Sequence, residues 1–117
     1  MTKLELLLYT DDDFYIENTR KLGIKKKRNF CEYKCEKIFD SKSDLLRYLE
    51  EIVISIRVVN NYWVIDELFH LFDETIDMLC ANEKTINKRL YGNYARSYLK
   101  IYEIKEINYE WKRTRKI

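Results

Sequence analysis

Two segments of the chain alternate between apolar and polar residues with a period of two, and this pattern constrains the fold most strongly. In Lys3–Tyr9, leucines occupy positions 4, 6 and 8. In Arg28–Phe39, one face carries Cys31, Tyr33, Cys35 and Phe39, with Lys37 interrupting it. A strand that is buried on one side and solvated on the other shows this alternation. The sequence therefore predicts two half-buried strands of a sheet.

Two further segments carry helix signals. Asp11–Asp13 can cap a short helix over Phe14–Leu22, which Gly23 would end. The segment 41–44 (SKSD) resembles a capping box and precedes Leu45–Glu51, so a second helix is predicted to begin there.

Asp66–Cys80 has the clearest helical pattern in the chain. Its apolar stripe consists of Leu68, Phe69, Phe72, Ile76 and Leu79. Its opposite face consists of Asp66, His70, Asp73, Glu74 and Asp77. This spacing predicts an amphipathic helix whose stripe belongs to the core.

Ile52–Val59 supports two interpretations. Six of its eight residues are β-branched, which favours a strand, a turn at Asn60-Asn61 and a return strand over Tyr62–Ile65. Apolar residues also recur there at helical spacing, which favours one helix over Ser43–Val59. We prefer the hairpin.

The last third of the chain has weaker signals. The segment 82–97 shows only a turn signal, at Gly92-Asn93, and Tyr98–Trp111 is rich in β-forming residues and predicts a long strand, with a helix as the alternative. Residues 112–116 form a basic tail. The whole pattern predicts an α+β fold in a single domain, with two or three helices packed on a small, mainly antiparallel sheet.

No motif of catalysis or cofactor binding is present. Only two glycines occur, and neither belongs to a phosphate-binding loop. On a strand, Cys31 and Cys35 would lie about 13 Å apart, too far for one tetrahedral metal. His70 fits a solvated helix face. We therefore expect no enzyme activity, cofactor, metal or small-molecule substrate.

The cysteines and the composition point to an intracellular protein. Three cysteines (31, 35 and 80), the lack of a signal-peptide pattern and the lack of a long apolar run predict free thiols, a cytoplasmic location and no membrane span. Lys, Ile, Asn, Tyr and Phe, which have AT-rich codons, supply 50 of the 117 residues. This bias indicates an AT-rich genome, as in some phages, plasmids and viruses.

The charges suggest two kinds of partner, although the net charge is only +2. Basic blocks at 20–28 and 112–116 adjoin aromatic residues, a combination that suits nucleic acid. The candidate contacts for nucleic acid are Lys25, Lys26, Lys27, Arg28, Trp111, Lys112, Arg113 and Arg115. The candidate contacts for a protein partner are Asp73, Glu74 and Asp77.

Two functional hypotheses follow from these charges. We prefer a small regulator or inhibitor, encoded by a mobile genetic element, that binds a protein. The alternative is a regulator that binds RNA or single strands. Convergence of the two basic blocks on one face would favour nucleic acid, and the sequence leaves the oligomeric state open.

Overall fold

The computed structural model describes residues 1–10, 13–27, 32–59, 62–90 and 96–104. The elements in chain order are β1 (Thr2–Tyr9), β2 (Phe14–Ile16), α1 (Thr19–Leu22), β3 (Lys25–Lys26), β4 (Glu32–Phe39), α2 (Lys42–Ser55), β5 (Ile56–Val58), α3 (Tyr62–Cys80), β6 (Ile86–Arg89) and β7 (Tyr98–Glu103).

A five-stranded antiparallel sheet is built around β1, one of the two strands that alternation predicts. Strands β4 and β7 pair with β1 on either side, and the order across the sheet is β3-β4-β1-β7-β6. Leu6 illustrates the register, because it lies opposite both Cys35 and Leu99. The short strand β3, which the sequence did not indicate, forms one edge.

One face of the sheet packs against α2 and α3 and forms the core. The leucines of β1 at 4, 6 and 8 are at most 2% exposed, and so are Leu49 of α2 and Phe72 of α3. Burial of alternate strand residues against helical stripes is the arrangement that an α+β fold requires. The predicted fold class is therefore confirmed. Among the described residues, no helix has the length and apolarity to cross a bilayer.

Helix α2 begins where the capping signal predicts. The Ser41 hydroxyl accepts a hydrogen bond from the Asp44 backbone N–H at 3.1 Å. This bond satisfies one of the amides that the first turn leaves without a partner. The predicted start of the second helix is confirmed.

The preferred hairpin over 52–65 is wrong, and the rival single helix over Ser43–Val59 is correct only as far as Ser55. Helix α2 continues to Ser55, β5 follows, and α3 already begins at Tyr62. Ile52 belongs to α2 and its side chain is fully buried. Packing therefore outweighs the preference of a β-branched residue for a strand.

The predicted helix over Phe14–Leu22 is mostly wrong. Phe14 and Ile16 are buried in β2, which pairs with β5, and only Thr19–Leu22 is helical. Pairing with β5, which the sequence did not reveal, determines this outcome. The predicted stop is confirmed: Gly23 has φ 71°, a conformation that suits glycine, and its N–H donates to the Arg20 carbonyl.

Helix α3 confirms the helix predicted over Asp66–Cys80 and begins four residues earlier. Leu68, Phe72 and Leu79 of the predicted stripe are buried, whereas Phe69 and Ile76 are half-buried. Strand β7 confirms the first six residues of the predicted C-terminal strand. The described Ile104 is no longer part of the strand, and residues 105–111 and the turn at Gly92-Asn93 lie outside the described residues.

Candidate functional site

The second face of the five-stranded sheet bears no helix among the described residues. Side chains on this face alternate with the buried ones along each strand, and all but Glu32 are exposed or half-buried. We call it the open face. Its members are Lys25, Glu32, Lys34, Glu36, Ile38, Lys3, Glu5, Leu7, Tyr9, Tyr98, Lys100, Tyr102, Asn87 and Arg89.

The register places one set of these residues in a line across all five strands. We call this line the basic row; from edge to edge it consists of Lys25, Lys34, Leu7, Tyr98 and Arg89. Its three cations are exposed, and Leu7 and Tyr98 between them are half-buried. Lys100 adjoins the row, with its Nζ 4.9 Å from the centroid of the Tyr98 ring.

Among the residues that the structure describes, the cations of the basic row have no acidic partner. Within the described part of the chain, the ion pairs include neither Lys25 nor Lys34, and neither Lys100 nor Arg89. A groove of about 470 Å³ opens beside the β3 end of the row, lined by Leu7, Lys25, Lys26, Lys27, Glu32 and Lys34. These charges are therefore available to an anionic ligand.

The other end of the open face carries charges that pair with one another. The Lys3 ammonium lies 3.7 Å from Glu5 and 3.8 Å from Glu36. The Tyr102 hydroxyl also donates to Glu5, at 3.2 Å. The pKa of Lys3 is raised, chiefly by Tyr102 and then by Glu36 and Glu5, so this lysine stays charged. We call these four residues the paired end.

Beyond the basic row, two cations neutralise the buried carboxylate of Glu32. Arg96 contacts it at 2.5 Å, and Lys27 at 3.9 Å. The Arg96 guanidinium also lies 5.5 Å from the centroid of the Tyr9 ring. The Tyr9 N–H donates to the Ser97 hydroxyl at 2.8 Å, which fixes the chain beside β1. Glu32, the one acid that the described residues place at this end, thus adds no free negative charge.

The structure separates the members of the first predicted basic block. Lys25 belongs to the open face, whereas Lys26 lies on the other side of β3, 5.7 Å from the centroid of the Tyr33 ring. Lys27 binds Glu32 through both its backbone and its side chain. The remaining candidates, Arg28, Trp111, Lys112, Arg113 and Arg115, lie outside the described residues. The described residues therefore do not test whether the two blocks converge on one face.

The predicted acidic face lies on the outer side of α3. Asp73 and Asp77 are exposed, but Glu74 is half-buried between His70 at 2.8 Å and Lys88 at 3.0 Å. The pKa of Glu74 is lowered, mainly by the Lys88 hydrogen bond and charge and then by His70. Glu74 is thus occupied within the protein, whereas the two aspartates are open to a partner.

The described thiols differ in their environment. Cys80 is exposed, and Cys35 is buried with its Sγ 3.0 Å from the Tyr48 hydroxyl oxygen. The Tyr48 hydrogen goes to the Leu22 carbonyl at 2.5 Å, so Cys35 must act as the donor to Tyr48. Burial raises the pKa of Cys35, which is therefore a protonated structural thiol. Within the described ranges, no three His, Cys, Asp or Glu side chains form a metal-binding cluster.

The sequence interpretation missed most of the basic row. In the sequence, Lys34 and Tyr98 stand out only because they alternate with residues that are expected to be buried. Arg89 lies in a segment without a clear pattern. Alternation in Arg28–Phe39 does place Lys34 on the solvated side of its strand, and the same reasoning could have placed Tyr98 there. Their approach across Leu7 depends on the strand order, which no local pattern reveals.

No known protein family, curated protein or solved structure matches this chain. The interpretation of the open face therefore rests on its own chemistry and geometry.

Proposed function

We propose that the protein is a non-enzymatic binding protein and that its open face contacts single-stranded nucleic acid. The observation that carries this proposal is the basic row, where cations flank an aromatic ring and have no ion-pair partner among the described residues, on a sheet face that no described helix covers. This proposal reverses the order of our two sequence-based hypotheses.

The chemistry of the row suits a polyanion with planar bases. Phosphates neutralised by Lys or Arg release counterions, which gives affinity without a sequence requirement. Aromatic side chains on a sheet provide surfaces on which unpaired bases stack. The open face offers Tyr9, Tyr98 and Tyr102 beside its cations.

The helices favour a single strand over a duplex as the ligand. Proteins that read duplex DNA commonly place a helix in the major groove. The exposed surface of α3 carries Asp66, Glu67, Asp73 and Asp77, which would repel phosphate, whereas α2 exposes as many Lys and Arg as Asp and Glu and α1 has only four residues. Among the described elements, only the sheet offers a broad basic surface.

Fluorescence anisotropy of labelled 12-mers would test this proposal. The probes are single-stranded RNA, single-stranded DNA and a DNA duplex, each titrated at several salt concentrations. We expect single strands to bind more tightly than the duplex, with affinity falling steeply as salt rises.

Two matched variants locate the contact. Lys34→Ala should reduce the salt slope by about 0.7, the value for one phosphate on a single strand. Arg47→Ala, on the exposed side of α2, should leave the slope unchanged. Single-strand binding no tighter than about 10⁻⁴ M at low salt would contradict the proposal, because ordinary non-specific association is at least that strong.

The exposed aspartates of α3 favour a second candidate function, a regulator or inhibitor that binds a basic protein. Asp73 and Asp77 lie one helical turn apart, and the ion pairs of the described residues include neither. A partner crosslinked to the wild-type protein in cells should be lost with Asp73→Lys/Asp77→Lys and retained with Lys34→Ala. A partner that survives the aspartate reversal would remove this surface from consideration.

A further inference from the structure

The open face is divided along the length of its strands. At the Leu7 level of β1, the basic row carries three exposed cations and no acid. Two and four residues earlier along β1, at the paired end, Glu5 and Glu36 face each other and Lys3 lies close to both. The same surface thus contains one band of cations that would attract phosphate and a second band whose charges form ion pairs with one another.

We infer that a bound single strand crosses the β-strands along the basic row, from β3 to β6, and stacks a base on Tyr98. In this arrangement phosphates contact Lys25 and Lys34 on one side of Tyr98 and Arg89 on the other. The inference rests on the proposed function and adds the path of the ligand, its length and its stacking residue.

A path along the strands would meet the paired end. A phosphate above β1 would then approach Glu5 and Glu36, and like charges repel at such distances. Lys3 offers little compensation, because its one positive charge already faces both carboxylates. Only the crossing path keeps every phosphate beside an unpaired cation.

The dimensions of the row set the length of the ligand. Five neighbouring strands span four gaps of about 4.8 Å, or about 19 Å in all. An extended strand of about four nucleotides covers this distance, at the lower end of the site sizes of single-strand binding folds. Affinity should therefore rise with length up to about four nucleotides and increase only gradually thereafter.

Tyr98 is the best-placed stacking residue of the row. It lies between Leu7 and Arg89 in the register, and Lys100 beside its ring can contact the phosphate of a stacked nucleotide. Tyr102 is the matched comparison, since it occupies the same strand and the same face but its hydroxyl binds Glu5 at the paired end.

The experiment compares variants of the two ends with labelled oligouridines of two to twelve nucleotides. Lys25→Ala, Lys34→Ala and Arg89→Ala should each reduce the salt slope by about 0.7, whereas Lys3→Ala should leave it nearly unchanged. Tyr98→Leu should weaken binding roughly 5- to 150-fold, and Tyr102→Leu should not. Circular dichroism and urea unfolding establish that each variant is folded.

Photocrosslinking of the unmodified protein to 5-iodouridine oligomers keeps the test decisive if Tyr98→Leu fails to fold. Crosslinks at Tyr98 support the path. Tight binding with equal slope losses for Lys3→Ala and Lys34→Ala, or crosslinks at Tyr102 alone, would overturn the path and leave the proposed function standing. Absence of wild-type binding to any single strand would instead overturn both.

Discussion

Removal of one oxygen atom at Tyr48 would test the packing between α2 and the sheet. The Tyr48 hydroxyl donates to the Leu22 carbonyl and accepts from the Cys35 thiol, and all three residues are at most 5% exposed. Tyr48→Phe keeps the ring in contact with Phe39, whose centroid lies 5.2 Å away. The substitution therefore isolates the hydrogen bonds from the apolar packing.

The expected cost follows from the burial of the two groups that lose their partner. A buried donor or acceptor that loses its hydrogen bond destabilises a protein by about 1–3 kcal/mol. The carbonyl accounts for most of this cost, because a thiol is a weak donor. Tyr102→Phe is the matched control, since it removes a hydroxyl from a half-buried site where water can replace it.

Urea unfolding followed by circular dichroism measures both variants. With a slope of about 1–3 kcal/mol per molar urea, a loss of about 2 kcal/mol lowers the midpoint by about 1 M at an unchanged slope. The control should shift by much less. Equal midpoints for Tyr48→Phe and Tyr102→Phe would refute a stabilising role for the buried hydrogen bonds of the Tyr48 hydroxyl.

Three further predictions concern α3 and the thiols. Phe72→Ala should lower the free energy of unfolding by about 3–5 kcal/mol in the same urea assay, because its side chain is fully buried. The pKa of Glu74 in the folded protein lies below 4.5, so the ion pairs of Glu74 stabilise the fold fully above that pH. This stabilisation is lost as the pH falls through the folded pKa. Glu74→Gln should therefore remove this part of the decrease in stability at low pH. Site-resolved mass spectrometry after alkylation at neutral pH should find Cys80 modified before Cys35, because Cys35 is buried and its pKa is raised.

Local sequence patterns correctly predicted the elements that depend on the alternation of their own residues or on contacts with residues close in sequence. Strand β1 and the described part of β4 followed from period-two alternation, because one face of each strand is buried and the other is not. The start of α2 followed from Ser41, since a cap acts through neighbouring amides. Such features need no knowledge of distant partners.

The segments for which the prediction was wrong depend on contacts with residues distant in sequence. Ile52 and Val53 are β-branched, yet they are helical because α2 packs against the sheet. Phe14–Ile16 is a strand only because β5, far along the chain, pairs with it. Propensity alone cannot weigh these interactions against local preference.

The candidate site was hidden for the same reason. Contiguous clusters such as Lys25–Lys27 dominated the sequence interpretation, but the structure places only Lys25 of that triplet in the basic row, because Lys26 lies on the other side of β3 and Lys27 pairs with Glu32. Lys34, Tyr98 and Arg89 are isolated in sequence and become neighbours through strand order. The run of like charges therefore indicated a basic surface but did not identify most of the residues that form it.

The distribution of charge explains how a protein with a net charge of only +2 can have an oriented binding surface. Residues 40–84, which include α2, β5 and α3, hold ten Asp and Glu against four Lys and Arg, whereas the described residues outside this range hold six against twelve. A nucleic acid approaching the helices meets repulsion, and one approaching the basic row meets unpaired cations. Near-neutrality of the whole chain thus limits non-specific attraction, while the separation of charge among the described residues supports the proposal that the open face binds a polyanion. The same separation accounts for the second candidate function, because a basic protein would be directed to the helices instead.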